Sequence, residues 1–189
     1  MKVLGIVFSS RADGNCSNAI KYCLNKMKDR GYETEVLNIF EYDIQGCGSC
    51  NYYCFFSGEC SKDDDIQQIY GKCFQADIII FAIPTFCGHL TSQYFKFWER
   101  SQSLFKDEIE YEDTFLKKIN FIIIGNLSSG GDMAVHEALY SFANRSFYPE
   151  VILLSSQEYN SSSIDGDLVR KRGVKDRLSN FVDRIIVKV

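Results

Sequence analysis

The sequence predicts an α/β protein built on one doubly wound, five-stranded parallel sheet with helices on both faces. Three observations predict it. Apolar runs without polar alternation, such as Val3 to Val7 and Ile78 to Ile83, read as strands buried on both sides. They alternate with stretches whose apolar residues recur at helical spacing, the order that gives parallel strands joined by right-handed crossovers. Three of the runs end in polar turns, at Ser9, Pro84 and Gly125, and turns that follow parallel strands share one edge of the sheet. With 189 residues, 46% of them hydrophobic, and neither repeat nor linker, the chain reads as a single domain over 1–189.

The elements follow in order. Val3-Leu4-Gly5-Ile6-Val7 is the first strand, and the polar turn from Phe8 to Ser17 leads into a helix with Ala19, Ile20, Cys23, Leu24 and Met27 on one face. Gly31 closes that helix, and Glu33 to Ile39 is the second strand. Glu41 to Ser61 has neither helical nor strand period, and its aromatics argue against disorder. Asp63-Asp64-Asp65 reads as a helix cap, with the helix running to about Phe74. The third strand, Ala76 to Ile83, is broken by Pro84-Thr85-Phe86-Cys87-Gly88-His89, and a helix then runs through Leu90, Tyr94, Phe97, Trp98 and Ser101. Ile119 to Ile124 is the fourth strand. A helix from about Met133 to Arg145, a short strand from Glu150 to Leu154, a loop rich in Ser and Asn, and a last amphipathic helix lined by Val174, Leu178, Phe181 and Ile185 complete the chain.

The turn after the first strand carries the first chemistry. Ser9, Ser10, Arg11, Gly14, Asn15, Cys16 and Ser17 place hydroxyls, amides and one guanidinium at a helix start, where free N–H groups and the helix dipole favour an anion. A simple cap by Asn15 or Ser17 explains one polar residue, not six. The turn lacks the Lys-Ser/Thr end of a Walker loop and the three-glycine dinucleotide fingerprint. A single phosphate held this way suits a mononucleotide.

The pattern Ser9-x-Arg11-x-x-Gly14-Asn15-x-Ser17 after a first strand resembles the NADPH-dependent FMN reductase family, with Cys16 where that family usually has Thr. The resemblance implies the flavodoxin-like fold with strand order 2-1-3-4-5, FMN as cofactor and NAD(P)H as electron donor. Pro84-Thr85-Phe86-Cys87-Gly88 resembles the family's Pro-Thr-Tyr-x-Gly segment, which wraps the flavin ring. Asn126 and Ser129-Gly130-Gly131 resemble its small-residue loop beside the ring, and the alternative there is an ordinary strand-to-helix turn. Arg100 reads either as a reach toward a subunit partner or the flavin pocket, or as a solvated helix residue. The resemblance also implies a homodimer. Hydride transfer to a flavin needs no protein base, so neither His89 nor His136 is assigned a catalytic role.

The unpatterned segment holds Cys47, Cys50, Cys54 and Cys60, half of the eight cysteines. Four thiolates in one loop can hold an iron–sulfur cluster or a zinc ion, or can be plain thiols. The run is similar to that of the iron–sulfur flavoprotein branch of the same superfamily, with one extra residue between Cys50 and Cys54. That similarity implies a four-iron, four-sulfur cluster.

Charge and composition bound the rest. With 21 basic against 25 acidic residues and no basic cluster, neither nucleic acid nor an anionic membrane is expected as a partner. Met1-Lys2 runs straight into a strand without a signal-peptide pattern, and no apolar run approaches the roughly 20 residues of a membrane span. A cytoplasmic protein is expected, its cysteines free or metal-binding. The reading is an FMN oxidoreductase that passes electrons from NAD(P)H to a flavin, quinone or similar acceptor. The alternative is an electron carrier relaying between flavin, cluster and a redox partner.

Overall fold

The computed structural model describes residues 1–105, 109–126 and 131–188. Five parallel strands form its sheet: β1 (Lys2–Val7), β2 (Glu33–Asn38), β3 (Ile78–Phe86), β5 (Ile119–Gly125) and β6 (Val151–Ser155), with a two-residue β4 (His89–Leu90) set against β3. The spatial order is β2-β1-β3-β5-β6, which is 2-1-3-4-5 when the parallel strands are counted alone. The apolar runs dictate this: every residue of β5 is buried, as is β3 from Ile78 to Ile83. The architecture is flavodoxin-like.

Two apolar layers flank the sheet. Alternate residues of β1 go to opposite sides: Leu4 and Ile6 join one cluster, Val3 and Val7 the other. The first cluster packs α3 (Ile66–Gln75), α4 (Ser92–Glu99), α6 (Ile109–Leu116) and α7 (Gly131–Leu139). Phe8, Phe81 and Phe97 meet edge to face there, with centroids 5.2 to 5.9 Å apart. The second cluster packs α1 (Asn15–Lys28) and α8 (Arg172–Lys188). Gly5 lets α1 lie directly on β1, since a Cβ there would sit 2.7 Å from Ile20 Cγ2. Polar side chains also work inside the sheet, Asn120 with the most bonds. Asn120 on β5 is buried; its Nδ2 donates to Lys118 O (3.2 Å) and Ile79 O (3.4 Å), and its Oδ1 accepts from Glu150 N (3.0 Å).

Several expectations are corrected. Pro84 does not end β3. The strand continues to Phe86, with Pro84 opposite Ile124 at the last rung of the β3–β5 ladder, where a missing N–H is tolerated. Cys87 (φ 51°) and Gly88 (φ 84°) then form a two-residue hairpin turn into β4, so Leu90 lies in a strand and not in α4. The acids 63–65 cap α3 with one bond only, Ile66 N to Asp64 Oδ1 at 3.3 Å. Their other oxygens accept from Asp43 N (2.8 Å) and Gln45 N (3.0 Å), tying down the preceding loop. The segment 41–61 contains a short helix, α2 (Tyr53–Ser57), and α5 (Gln102–Phe105) and α6 occupy a stretch left unassigned by periodicity.

Candidate functional site

A cleft of about 430 Å³ opens at the carboxyl edge of the sheet, where β1 and β3 lie side by side and their crossovers diverge. The turn after β1 contributes Ser9, Ser10, Arg11, Asn15 and Cys16. The end of β3 contributes Pro84, Thr85 and Phe86, and Asn126 comes from the end of β5. Gly14 and Ser17 support it from behind. Gly14 is the N-cap of α1, and Ser17 Oγ donates to Arg11 O (3.0 Å) to close the turn. Cys87 and Gly88 form the hairpin turn and are not part of the lining, while Gly130 lies outside the described residues.

No side chain caps α1. The bland explanation of the turn as a cap therefore fails, and the first-turn N–H groups are left for something in the cleft. Arg11 is used differently from expectation. Its guanidinium donates to Ile164 O (2.8 Å) and to Ser163 O, drawing the loop after β6 over the cleft. Asn15 works with it: Nδ2 donates to Ser162 O (3.3 Å) and Oδ1 accepts from Leu168 N (3.1 Å). Gly166, at φ 68°, seals the contact, since a Cβ would lie 2.3 Å from Asp13 O. Burial pushes the Cys16 thiol up to about 12, with Arg11 a weaker opposing influence, so it stays neutral and only its backbone is suited to an anion. Sequence reasoning missed Phe40, Ser156, Ser163 and Ile164 in the lining. The polarity of the Ser-rich loop was its only signal.

A second hollow lies beside the C-terminal end of α4, lined by Cys47, Cys50, Cys54 and Cys60 together with Glu99 and Arg100. The loop reaches it through left-handed backbone at Ser49, Asn51 and Tyr52. Glu99 Oε1 accepts from Cys47 N at 2.6 Å. Arg100 is neither solvated nor directed into the cleft. It is 2% exposed, pairs with the buried Asp64, and donates to Gln45 O (2.8 Å) and Cys60 Sγ (3.2 Å). Burial, then Glu99, push the Cys47 thiol up. Among the described residues no three His, Cys, Asp or Glu side chains are gathered to hold a metal ion. A four-iron cluster takes one thiolate per iron, and four cysteines line this hollow, which encloses about 10 Å³. The donors match a cluster in kind and number, but they are not drawn together around one. His89 is held by Glu137, Nδ1 to Oε1 at 2.7 Å, and that carboxylate also accepts from Leu90 N.

A family profile for NADPH-dependent FMN reductase matches residues 1–160 of this chain. The chain belongs to the NADPH-dependent FMN reductase family. Within that family it is similar to an iron-sulfur flavoprotein of Methanocaldococcus jannaschii, 34% identical over 104 residues, covering 55% of this chain and 53% of the relative. A second, from Methanosarcina thermophila, is 36% identical over 101 residues, covering 53% and 52%. These alignments span about half the length of the relatives they match. Among solved structures, the NAD(P)H:quinone oxidoreductase from Methanothermobacter marburgensis superposes with a TM-score of 0.70 at 10% identity, covering 98% of this chain and 96% of that one. RosB with a bound 8-demethyl-8-formylriboflavin-5'-phosphate intermediate gives 0.66 at 17% identity, covering 99% and 81%. These superpositions establish the flavodoxin-like fold of this family member. Among its described residues no helix is long and apolar enough to cross a membrane.

Proposed function

We propose that this chain binds FMN in the cleft at the carboxyl edge and passes electrons from NAD(P)H to a small-molecule acceptor such as a flavin or quinone. One observation carries the reading: the uncapped start of α1 and the ends of β1, β3 and β5 converge on one cleft of a size suited to a mononucleotide, in a member of an FMN reductase family. When bound, FMN supplies the two-electron chemistry. The residues do the rest. The N–H groups at Asn15 and Cys16, with the Ser9 and Ser10 hydroxyls, would take the phosphate. Thr85 and the backbone at Pro84 to Phe86 would hold the ring edge, and Phe86 would shield one side from water. Arg11 and Asn15 act through the 162–164 loop, which they hold across the opening. No proton-transfer residue is assigned. We further propose a homodimer in a reducing compartment, the cytoplasm, which the eight free cysteines suit.

Denaturing the purified protein and chromatographing the released flavin tests the cofactor: FMN is expected, and FAD, or no flavin after incubation with excess FMN, overturns the reading. Steady NAD(P)H oxidation with a quinone acceptor tests the activity.

A second reading has its own observation. All four loop thiols line one hollow, and the relatives named above are iron-sulfur flavoproteins. Cys47, Cys50, Cys54 and Cys60 would hold a four-iron, four-sulfur cluster, which would supply one-electron transfer to a redox partner.

A further inference from the structure

The hairpin that brings Thr85 and Phe86 to the cleft is poorly equipped to hold itself in place. Its second strand, β4, is two residues long, with Thr85 opposite Leu90 and Phe86 opposite His89. A two-residue turn with positive φ at both positions favours asparagine, aspartate or glycine. This one has Cys87 at φ 51° in first place, so its own sequence disfavours it. Short two-stranded hairpins are marginal without outside support. The buried Leu90 side chain gives some. The directed support comes from α7. Glu137, its side chain 19% exposed, spreads one carboxylate over both residues of β4: Oε1 accepts from His89 Nδ1 (2.7 Å) and Oε2 from Leu90 N (2.8 Å). The helix behind it is fixed, because Ala134 and Ala138 are buried and Gly131 packs so closely that a Cβ would lie 2.8 Å from Leu153 Cδ2. Neither Glu137 nor His89 lines the cleft, but cross-strand partners share a face, and the partner of His89 is Phe86.

We propose that Glu137, with His89 as its partner, is a positioning residue of the cofactor cleft: it seats the β3–β4 hairpin so that Thr85 and Phe86 form the wall against the flavin ring. This rests on the FMN reading above. The probes are FMN and riboflavin, which share the ring and differ in the phosphate, titrated into apoprotein by calorimetry. A hairpin seated only about a tenth of the time lowers the affinity for either flavin about tenfold. Glu137→Ala is expected to weaken both by that common factor. His89→Ala, where the side chain is 57% exposed, should weaken both by a smaller common factor. Glu137→Gln keeps an acceptor for Leu90 N and an amide that can meet His89 Nδ1. It should restore both affinities and the visible circular dichroism of the flavin-saturated protein, a signature that a role in overall stability would not move. Thermal melts of the apoproteins show which variants fold. Unchanged affinities in Glu137→Ala overturn the proposal, as do unchanged affinities in His89→Ala where Glu137→Ala does not fold. Weakening of FMN with riboflavin unaffected overturns it too, since that would place the effect at the phosphate turn. Wild-type protein that binds neither flavin overturns the FMN reading itself, and the proposal with it.

Discussion

Replacing Arg100 with methionine isolates the contact that holds the cysteine loop against α4. The guanidinium and the Asp64 carboxylate are 1% and 0% exposed, so the charge left behind has no access to water. Removing one partner of a buried ion pair costs about 3–5 kcal/mol. Asp64 keeps its bonds from Gln45 N (3.0 Å) and Ile66 N (3.3 Å), which places Arg100→Met at the lower end, about 3 kcal/mol by that scale. Urea unfolding at pH 7, with FMN absent from all samples, measures it as a fall in midpoint at constant slope. Replacing both residues, Arg100→Met with Asp64→Leu, should recover most of the loss because no buried charge remains. The pH dependence has a definite sign. Burial alone would raise the Asp64 carboxyl, but the Arg100 bonds, then the Gln45 and Ile66 N–H groups, outweigh it and hold the group below its ordinary value. Its stabilisation is therefore present above the unfolded value of roughly 4 and is lost as pH falls through the lower folded value. The gap between wild type and Arg100→Met should narrow below about pH 4, where the orphaned carboxyl is protonated. A loss under about 1 kcal/mol, or a double variant no more stable than the single one, would refute the argument, since a buried pair broken on one side cannot behave so.

The other outcomes concern the two sites. Arg11→Ala releases the Ser163 and Ile164 carbonyls and is expected to weaken FMN binding roughly ten- to hundredfold, the equivalent of one charge-assisted bond, with FMN titration as the measurement. Gly166→Ala forces a side chain against Asp13 O at a left-handed position and should cost at least about 1 kcal/mol in a thermal melt, with the 163–164 loop becoming protease-sensitive. Cys54→Ser in anaerobically reconstituted protein should strip iron and bleach the broad absorption beneath the flavin bands. If the parent itself holds neither iron nor labile sulfide, the cluster reading fails and the simple reductase reading stands.

What could be read in the sequence was whatever depends on neighbours along the chain. The strands announce themselves because β3 and β5 are apolar almost throughout, and the shared edge of their turns follows from chain direction alone. The cleft's outer wall was invisible for the opposite reason: Asn15 meets Leu168 across 153 positions, and nothing in a Ser-rich loop states where it will fold back. Arg100 misled in the same way. At the end of an amphipathic helix an arginine reads as a surface residue, and its partner, Asp64, sits in an acid run that reads as a helix cap. Both local readings are sound chemistry, overridden by a loop that brings the two charges together. Pro84 misled because proline usually ends a strand, but at the last rung of a ladder its missing N–H is harmless.

Asn120 has a consequence for folding fidelity. Ile78-Ile79-Ile80 and Ile122-Ile123-Ile124 lie in neighbouring strands, and to an apolar interior one isoleucine is much like another. A strand displaced by two residues would keep the same face inward and bury nearly the same oil. Such near-equivalent pairings are where a growing sheet goes astray. The amide of Asn120 breaks the tie. Its two cross-strand hydrogen bonds, to Ile79 O and from Glu150 N, close only in this register, and a slipped partner would strand a polar group in the dark of the core. The residue that looks least at home in the sheet is therefore the one that tells its greasy neighbours where to stop.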